Sequence, residues 1–260
     1  MRLPIHQIDA FAEHPFEGNP AAVMPLENWL ADDLMQFIAM ENQLSETAFF
    51  VPEGDCYKIR WFTPANEIDL CGHATLASAW LVFNELHPEW KSVKFQSQSG
   101  PLEVTRDGEW LVLDFPRRPG SFVPEHIPAL AAALGAEPRE ALLSRDLVAV
   151  FDTETQVRGL MPDFKALAGL PGFGVLVTAK GDKCDFVSRC FFPQDGIPED
   201  PVTGSAHSTL IPYWSERLNK ECLSAFQASQ RGGWLQCRDC QNRVLIGGKA
   251  VKIMEGVMFV

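Results

Sequence analysis

The strongest constraint on this 260-residue chain is that it echoes itself. Residues 60–80, RWFTPANEIDLCGHATLASAW, return as residues 189–214, RCFFPQDGIPEDPVTGSAHSTLIPYW. Arg60, Phe62 and Pro64 match Arg189, Phe191 and Pro193 at an offset of 129 positions. After a three-residue insertion, Gly72 and Ala74 match Gly204 and Ala206 at an offset of 132. Each copy reads as a strand, a Pro-containing loop with carboxylates, and a Gly-led turn entering an apolar helix. An echo at half the chain length predicts two related halves.

The helix after Gly72 shows how each half must be built. From His73 to Phe83 it is small or apolar on almost every side, and such a helix is normally enclosed all round. A sheet wrapped around one central helix achieves this. The central helices are expected over 72–86 and 204–218, with Pro212 predicting a kink or a later start in the second. The segment Pro116-Arg117-Arg118-Pro119-Gly120 is the linker candidate. The N-terminal half is therefore placed at 1–118 and the C-terminal half at 119–260, with the final strand available to pack on the first.

Around these helices the periodicities predict strands at 3–12, from 15–23 onward, 44–51, 58–63, 93–96, 102–105 and 110–115. Further strands are expected near 147–151, 174–178, 186–192, 224–228, 234–237, 243–247 and 250–260. Helices are expected over Trp29–Met40, where Leu30, Leu34, Phe37 and Ile38 recur at helical spacing, and over Ile127–Leu134.

Composition narrows the function classes. With 46% hydrophobic and 22% charged residues, the chain is an ordinary soluble globular protein with a sizeable core. A net charge of -12 without a Lys/Arg run argues against nucleic-acid binding. The N-terminus lacks a signal-type apolar segment, and PALAAAL near Leu130 falls far short of a membrane span. Seven dispersed cysteines, an odd number, suit a reducing compartment. A cytoplasmic protein with no membrane partner is expected. Cys237 and Cys240 form a CxxC that no second pair completes, so chance spacing on a turn is favoured and no metal site is expected.

Chemistry concentrates at the two Gly-led turns and on one strand. Helix starts offer unpaired N–H donors and partial positive charge, so Gly72 and Gly204 suit the carboxylate of a small acidic substrate. Strand 44–51 places Leu44, Glu46, Ala48 and Phe50 on one face and Ser45, Thr47, Phe49 and Val51 on the other. A carboxylate among apolar neighbours is a candidate acid/base, because burial disfavours the ionised form of such a group; a sheet-edge carboxylate facing water fits the same pattern. His73 reads as a ligand or a satisfied core histidine. Asp200 and Ser205 read as caps or substrate contacts, and Glu67 and Asp69 as solvated or capping. His6, His14, His87, His126 and His207 show no ligand spacing. A phosphate loop and a GxSxG elbow are both absent.

The blocks HQIDAF (6–11), PFEGNPAAV (15–23), LSETAFF (44–50), RWFTPANEIDLCGHAT (60–75), GIPEDPVTGSAH (196–207) and SQRGGW (229–234) resemble the PhzF family of phenazine biosynthesis. The resemblance spans nearly the whole chain. It implies an α+β, diaminopimelate-epimerase-like fold of two similar domains, each an antiparallel sheet around a central helix, with the active site between them. It also implies a cofactor-free isomerase that moves a proton between carbons, as the family's best-understood member does on trans-2,3-dihydro-3-hydroxyanthranilate. The family's proton-shuttling glutamate falls on Glu46, and its supporting polar residues on His73, Asp200 and Ser205. Ser45, Gly72, Thr203 and Gly204 complete the candidate substrate contacts. Homodimers are common in the family. Racemases of this fold use paired cysteines; Cys71 fills the first position but Thr203 the second, which weighs against a two-thiol racemase. A non-catalytic binding or regulatory protein on the same fold is the remaining alternative.

Overall fold

Two strand–helix–strand crossovers set the topology of each half in the computed structural model, which describes residues 1–260 apart from the side chain of Asp195. The chain sorts into unit 1, Met1–Asp114 with Gly247–Val260, and unit 2, Phe115–Ile246. Unit 1 begins with β1 (Arg2–Ala10), β2 (Asn19–Pro25), α1 (Asp32–Asn42), β3 (Glu46–Glu53), β4 (Cys56–Phe62) and β5 (Glu67–Ile68). It continues with α2 (Gly72–Leu81), β6 (Ser92–Ser97), β7 (Gly100–Asp107) and β8 (Trp110–Pro116). Unit 2 holds β9 (Ser121–Phe122), α3 (Ile127–Leu134), β10 (Glu140–Leu143), β11 (Leu147–Val150), α4 (Glu154–Gly159) and α5 (Phe164–Leu167). There follow β12 (Val175–Lys180), β13 (Phe186–Phe192), β14 (Ile197–Asp200), α6 (His207–Leu218), β15 (Cys222–Gln227), β16 (Gly233–Asp239) and β17 (Arg243–Gly248). The last strand, β18 (Ala250–Phe259), lies in unit 1.

In unit 1 the strands run β18-β1-β2-β3-β4-β6-β7-β8, with β5 also on β4. All neighbours are antiparallel except β2–β3 and β4–β6. A parallel pair needs a crossover connection, and α1 and α2 supply them. Unit 2 repeats the scheme as β9-β10-β11-β12-β13-β15-β16, parallel at β11–β12 and β13–β15. There α4 with α5, and then α6, are the crossovers. The expected antiparallel sheets thus each contain two parallel pairs, one for each helical connection.

The sequence echo has a structural content. Arg60 on β4 forks Glu67, with Nε and Nη2 each 2.7 Å from a carboxylate oxygen. Arg189 on β13 forks Glu199 at 2.8 and 2.9 Å. Each guanidinium also lies 5.1 Å from the ring centroid of the phenylalanine two residues on, Phe62 or Phe191. Bidentate pairing of this kind fixes geometry as well as adding energy, so the repeated Arg-x-Phe pins the loop that leads into each central helix.

Strand β3 is buried on both faces from Glu46 to Val51. Phe49 and Val51 join Met35, Ile38 and Ala39 of α1 in one cluster, while Glu46, Ala48 and Phe50 occupy the opposite face. The water-facing alternative for Glu46 does not hold: the residue is 7% exposed. Helix α2 is buried from Gly72 to Ala79 and packs on β1, β2, β3 and β18. Its hydroxyls tolerate enclosure by bonding inside the helix, Thr75 Oγ1 to the Cys71 carbonyl and Ser78 Oγ to that of Ala74. The predicted span 72–86 ends in a π-helical turn, Val82–Leu86.

Helix α6 begins at His207, three residues later than the expected 204–218. Gly204 to Ala206 instead form tight turns, with i→i+3 bonds from His207 and Ser208 N–H to the Gly204 and Ser205 carbonyls. Pro212 stays inside the helix. It has no N–H to offer the Ser208 carbonyl four residues back, and the Arg118 N–H donates to that carbonyl at 2.9 Å instead. The unit boundary, expected near 118, falls at 114/115 within β8, and the chain re-enters unit 1 at 246/247 within β17. No helix among the described residues is long and apolar enough to cross a membrane.

Candidate active site

In unit 1, three elements deliver residues to one buried point. Glu46 opens β3, Asn19 opens β2, Cys71 is the N-cap of α2, and Gly72 and His73 are its first two residues. His73 Nε2 lies 3.1 Å from Glu46 Oε2, without the alignment of a proper hydrogen bond. His73 Nδ1 lies 3.5 Å from Cys71 Sγ and 3.3 Å from Asn19 Nδ2. No side-chain cap hydrogen bond closes the start of α2, and the positive end of its dipole lies beside this cluster.

The electrostatics follow from burial and these neighbours. Burial pulls the His73 pKa down, but Cys71 and Glu46 outweigh it and hold the imidazole well above its ordinary value. Burial, reinforced by the Glu46 charge, pushes the Cys71 thiol up. A thiol held neutral adds no lasting charge, so the Glu46 carboxylate is the partner that sustains His73 as a cation. Ser45 is half-buried just ahead of β3.

Asn19 is held by an unusual turn. Phe11 and Phe16 take positive φ, as does Gly18 at +65°. A Cβ on Gly18 would sit 2.1 Å from the Ala10 carbonyl oxygen, so only glycine fits there. Asp9, 1% exposed, accepts the Phe16 N–H at 3.1 Å and braces the same turn.

In unit 2, Asp200 ends β14 and is 8% exposed. Thr203 donates its hydroxyl to Asp200 Oδ2. Gln227, fully buried at the end of β15, ties this turn together. Its Oε1 accepts from Thr203 N at 2.8 Å, and its Nε2 donates to the Asp200 carbonyl at 2.8 Å and to Thr203 Oγ1 at 3.2 Å. Ser205 Oγ accepts from Arg145 Nη2 at 3.1 Å. Arg145 also forks the buried Asp146, whose carboxyl burial pushes upward. Glu67 and Asp69 are taken up in structural contacts, Glu67 with Arg60 and Asp69 with Ser99 Oγ at 2.9 Å.

Sequence reading therefore finds Glu46, Gly72 and His73 in one cluster, and Asp200, Thr203, Gly204 and Ser205 along one turn. It misses Asn19, Gln227 and Arg145. Asn19 carried the best signal, lying inside PFEGNPAAV, where a turn was already read. Cys237 is buried and Cys240 exposed, at a turn closed by Cys240 N to the Arg243 carbonyl.

The two-unit architecture defines a class of fold, the α+β fold of diaminopimelate-epimerase-like type. A hydroxyproline epimerase of Agrobacterium vitis, solved with bound trans-4-hydroxy-L-proline, shares this fold at TM-score 0.63 and 11% identity, over 98% of this chain and 92% of that one. The family model described as phenazine biosynthesis-like protein (PhzC-PhzF) matches residues 8–256. An uncharacterized isomerase of Pseudomonas aeruginosa is 53% identical over 257 residues, 98% of each chain. A crystal structure of a PhzF-family protein of Enterococcus faecalis superposes at TM-score 0.98, with 53% identity over all of both chains. The chain belongs to the PhzF family and is an isomerase of that kind.

Proposed function

We propose that the protein moves a proton between carbons of a small carboxylate-bearing metabolite without a cofactor, with Glu46 as the general acid/base. The observation that carries this is the Glu46 carboxylate, buried 3.1 Å from His73 Nε2 beside the uncapped start of α2. Glu46 takes the proton from one carbon and becomes a neutral carboxyl group. The electron pair left behind shifts through the adjoining unsaturated system toward the substrate carboxylate, and the proton returns at a second carbon. His73, held as a cation, stabilises the charge before transfer, and the N–H groups of Gly72 and His73 face the anion. Asp200 is assigned a supporting catalytic role, and Ser45, Gly72, Thr203, Gly204 and Ser205 substrate contacts. We also place the protein in the cytoplasm, as a homodimer.

A racemase built on Cys71 is less well supported. Its thiol is pushed away from the thiolate form, and Thr203, at the echoed position, spends its hydroxyl on Asp200. A non-catalytic binding role has no observation in its favour.

The test is deuterium incorporation from D2O into a mixture of small carboxylic metabolites. Glu46→Gln should stay folded, bind the responding acid, and exchange about 10²–10⁴-fold more slowly. Exchange at the wild-type rate in the folded variant would remove Glu46 from the mechanism.

A further inference from the structure

Glu46, Cys71 and His73, all buried, each bring one metal-ligating atom within 4.8 Å of the others. The spacing within the group is specific. A tetrahedral zinc ion with one sulfur at about 2.3 Å and one nitrogen at about 2.0–2.1 Å needs those two atoms about 3.6 Å apart. Cys71 Sγ and His73 Nδ1 are 3.5 Å apart. On the far side of the ring, Nε2 faces Glu46 Oε2 at 3.1 Å. A carboxylate on the other ring nitrogen is the arrangement that orients a metal-binding histidine and raises its basicity. Once the imidazolium gives up one proton, a carboxylate at that place favours the tautomer that keeps Nε2–H and turns the Nδ1 lone pair toward the sulfur.

We infer that Cys71 and His73 form a site for a thiophilic divalent cation of the zinc type, and that the bound ion switches off the chemistry of Glu46. The ion is held by the Cys71 thiolate and His73 Nδ1, with Glu46 engaged on Nε2 and water completing the coordination. Asn19, whose Nδ2 lies 3.3 Å from Nδ1, would turn its carboxamide oxygen to the ion. Binding exchanges a metal-bound water for each protein ligand and releases two protons to buffer, one from the Cys71 thiol and one from Nδ1 of the His73 imidazolium; nothing is oxidised or reduced. With Nδ1 metallated and the carboxylate fixed on Nε2–H, Glu46 is no longer available to a substrate carbon. That inhibitory consequence rests on the proton-transfer reading above; the binding does not.

The other cluster of this kind, His6 with Glu85 and Glu255, is a poorer host. The Lys252 ammonium already bonds Glu85 at 2.6 Å and Glu255 at 2.5 Å, occupying the place a cation would take. That cluster also offers no sulfur, whereas Cys71 and His73 supply a matched sulfur–nitrogen pair with a carboxylate behind it.

Titrating the reduced, metal-free protein with Co2+ reads binding directly, through the thiolate-to-cobalt charge-transfer band. Wild type should take up one equivalent with the band, and Zn2+ should displace it. Cys71→Ser and His73→Asn should abolish the band, and Cys240→Ser should leave it intact. Glu46→Gln should keep the band and weaken affinity by about 10–100-fold, as loss of such an outer carboxylate does. Absence of the band in wild type, its survival in Cys71→Ser, or its loss in Cys240→Ser would each overturn the site. Should the variants fail to fold, X-ray absorption of the zinc-loaded wild type decides. One sulfur at about 2.3 Å with nitrogen at about 2.0–2.1 Å supports the site, whereas two sulfurs or none refute it. These readouts use no turnover, so a failure here is distinguishable from a failure of the proton-transfer proposal.

Discussion

The two nitrogens of the His73 imidazole face opposite partners, a carboxylate and a thiol, and that asymmetry makes the residue testable by pH. Its pKa in the folded protein lies well above the ordinary value, with Cys71 and Glu46 together overcoming the opposing effect of burial. A histidine raised on folding stabilises the native state fully below its unfolded pKa of about 6.5, and this contribution is lost as pH rises through the folded value. The stability difference between wild type and Glu46→Gln should therefore be largest below about pH 6.5 and shrink on the alkaline side. Denaturant titrations of both proteins across that range check it, together with an NMR titration of His73. A His73 titrating at or below about 6.5 would contradict the pairing. Glu46 and His73 were legible because a carboxylate on an apolar strand and a histidine behind Gly72 break their local patterns. Asn19, Gln227 and Arg145 break none. They gain meaning only from contacts 54, 24 or 27, and 60 positions away in sequence, which periodicity does not encode.

Among the elements, the central helices show both what the echo foretold and where it stopped. The loop-pinning pairs Arg60–Glu67 and Arg189–Glu199 stand at the same offsets as the rest of the repeat, yet the helices they introduce start differently. Helix α2 starts at Gly72 itself, whereas α6 is entered through tight turns to His207. His207 is fully buried; its Nδ1 donates to the Thr203 carbonyl at 2.8 Å and its ring packs against Phe186. Burial lowers its pKa to about 4, with the Thr203 bond opposing only in part. Here the linkage has the opposite sign to that of His73. Between about pH 6.5 and 4 the unfolded chain takes up a proton that the native protein refuses, so stability falls as pH falls, by about 3 kcal/mol from this residue. His207→Asn should remove most of that acid-side loss. Urea midpoints of the two proteins at either end of the window give the measurement, and parallel losses would refute it. The sequence offered no sign of this, since one histidine in an apolar helix reads the same whether satisfied or strained.

At the scale of the whole molecule, chain order and structural order part company. Residues 247–260, last in the sequence, belong with residues 1–114. The strand pattern of β18 and its availability to the first half were legible, but the particular edge it joins, β1, was not, because an apolar strand carries no mark of its partner. Strand β1 is paired on both sides, with β2 from His6 to Ala10 and with β18 along its length, from Arg2↔Phe259 to Ala10↔Ala250. The first residue and the last also meet, Met1 N with the Val260 carbonyl. Removing residues 250–260 would leave Arg2–Ile5 without a strand partner and turn β1 into an edge. Each lost backbone hydrogen bond is worth about 0.5–1.5 kcal/mol net. Over a ladder of this length the total is comparable with the roughly 5–15 kcal/mol that holds a typical domain folded. The truncated chain should therefore lose cooperative unfolding of unit 1 and rapidly exchange the amides of β1, even though every residue named in the Glu46 cluster is still present. Unit 2, which contributes none of these pairs, should keep the protected amides of β12 and β13. Hydrogen exchange read by mass spectrometry separates the two outcomes, and full protection of Arg2–Ile5 in the truncated chain would show that β18 does not hold the N-terminal half together.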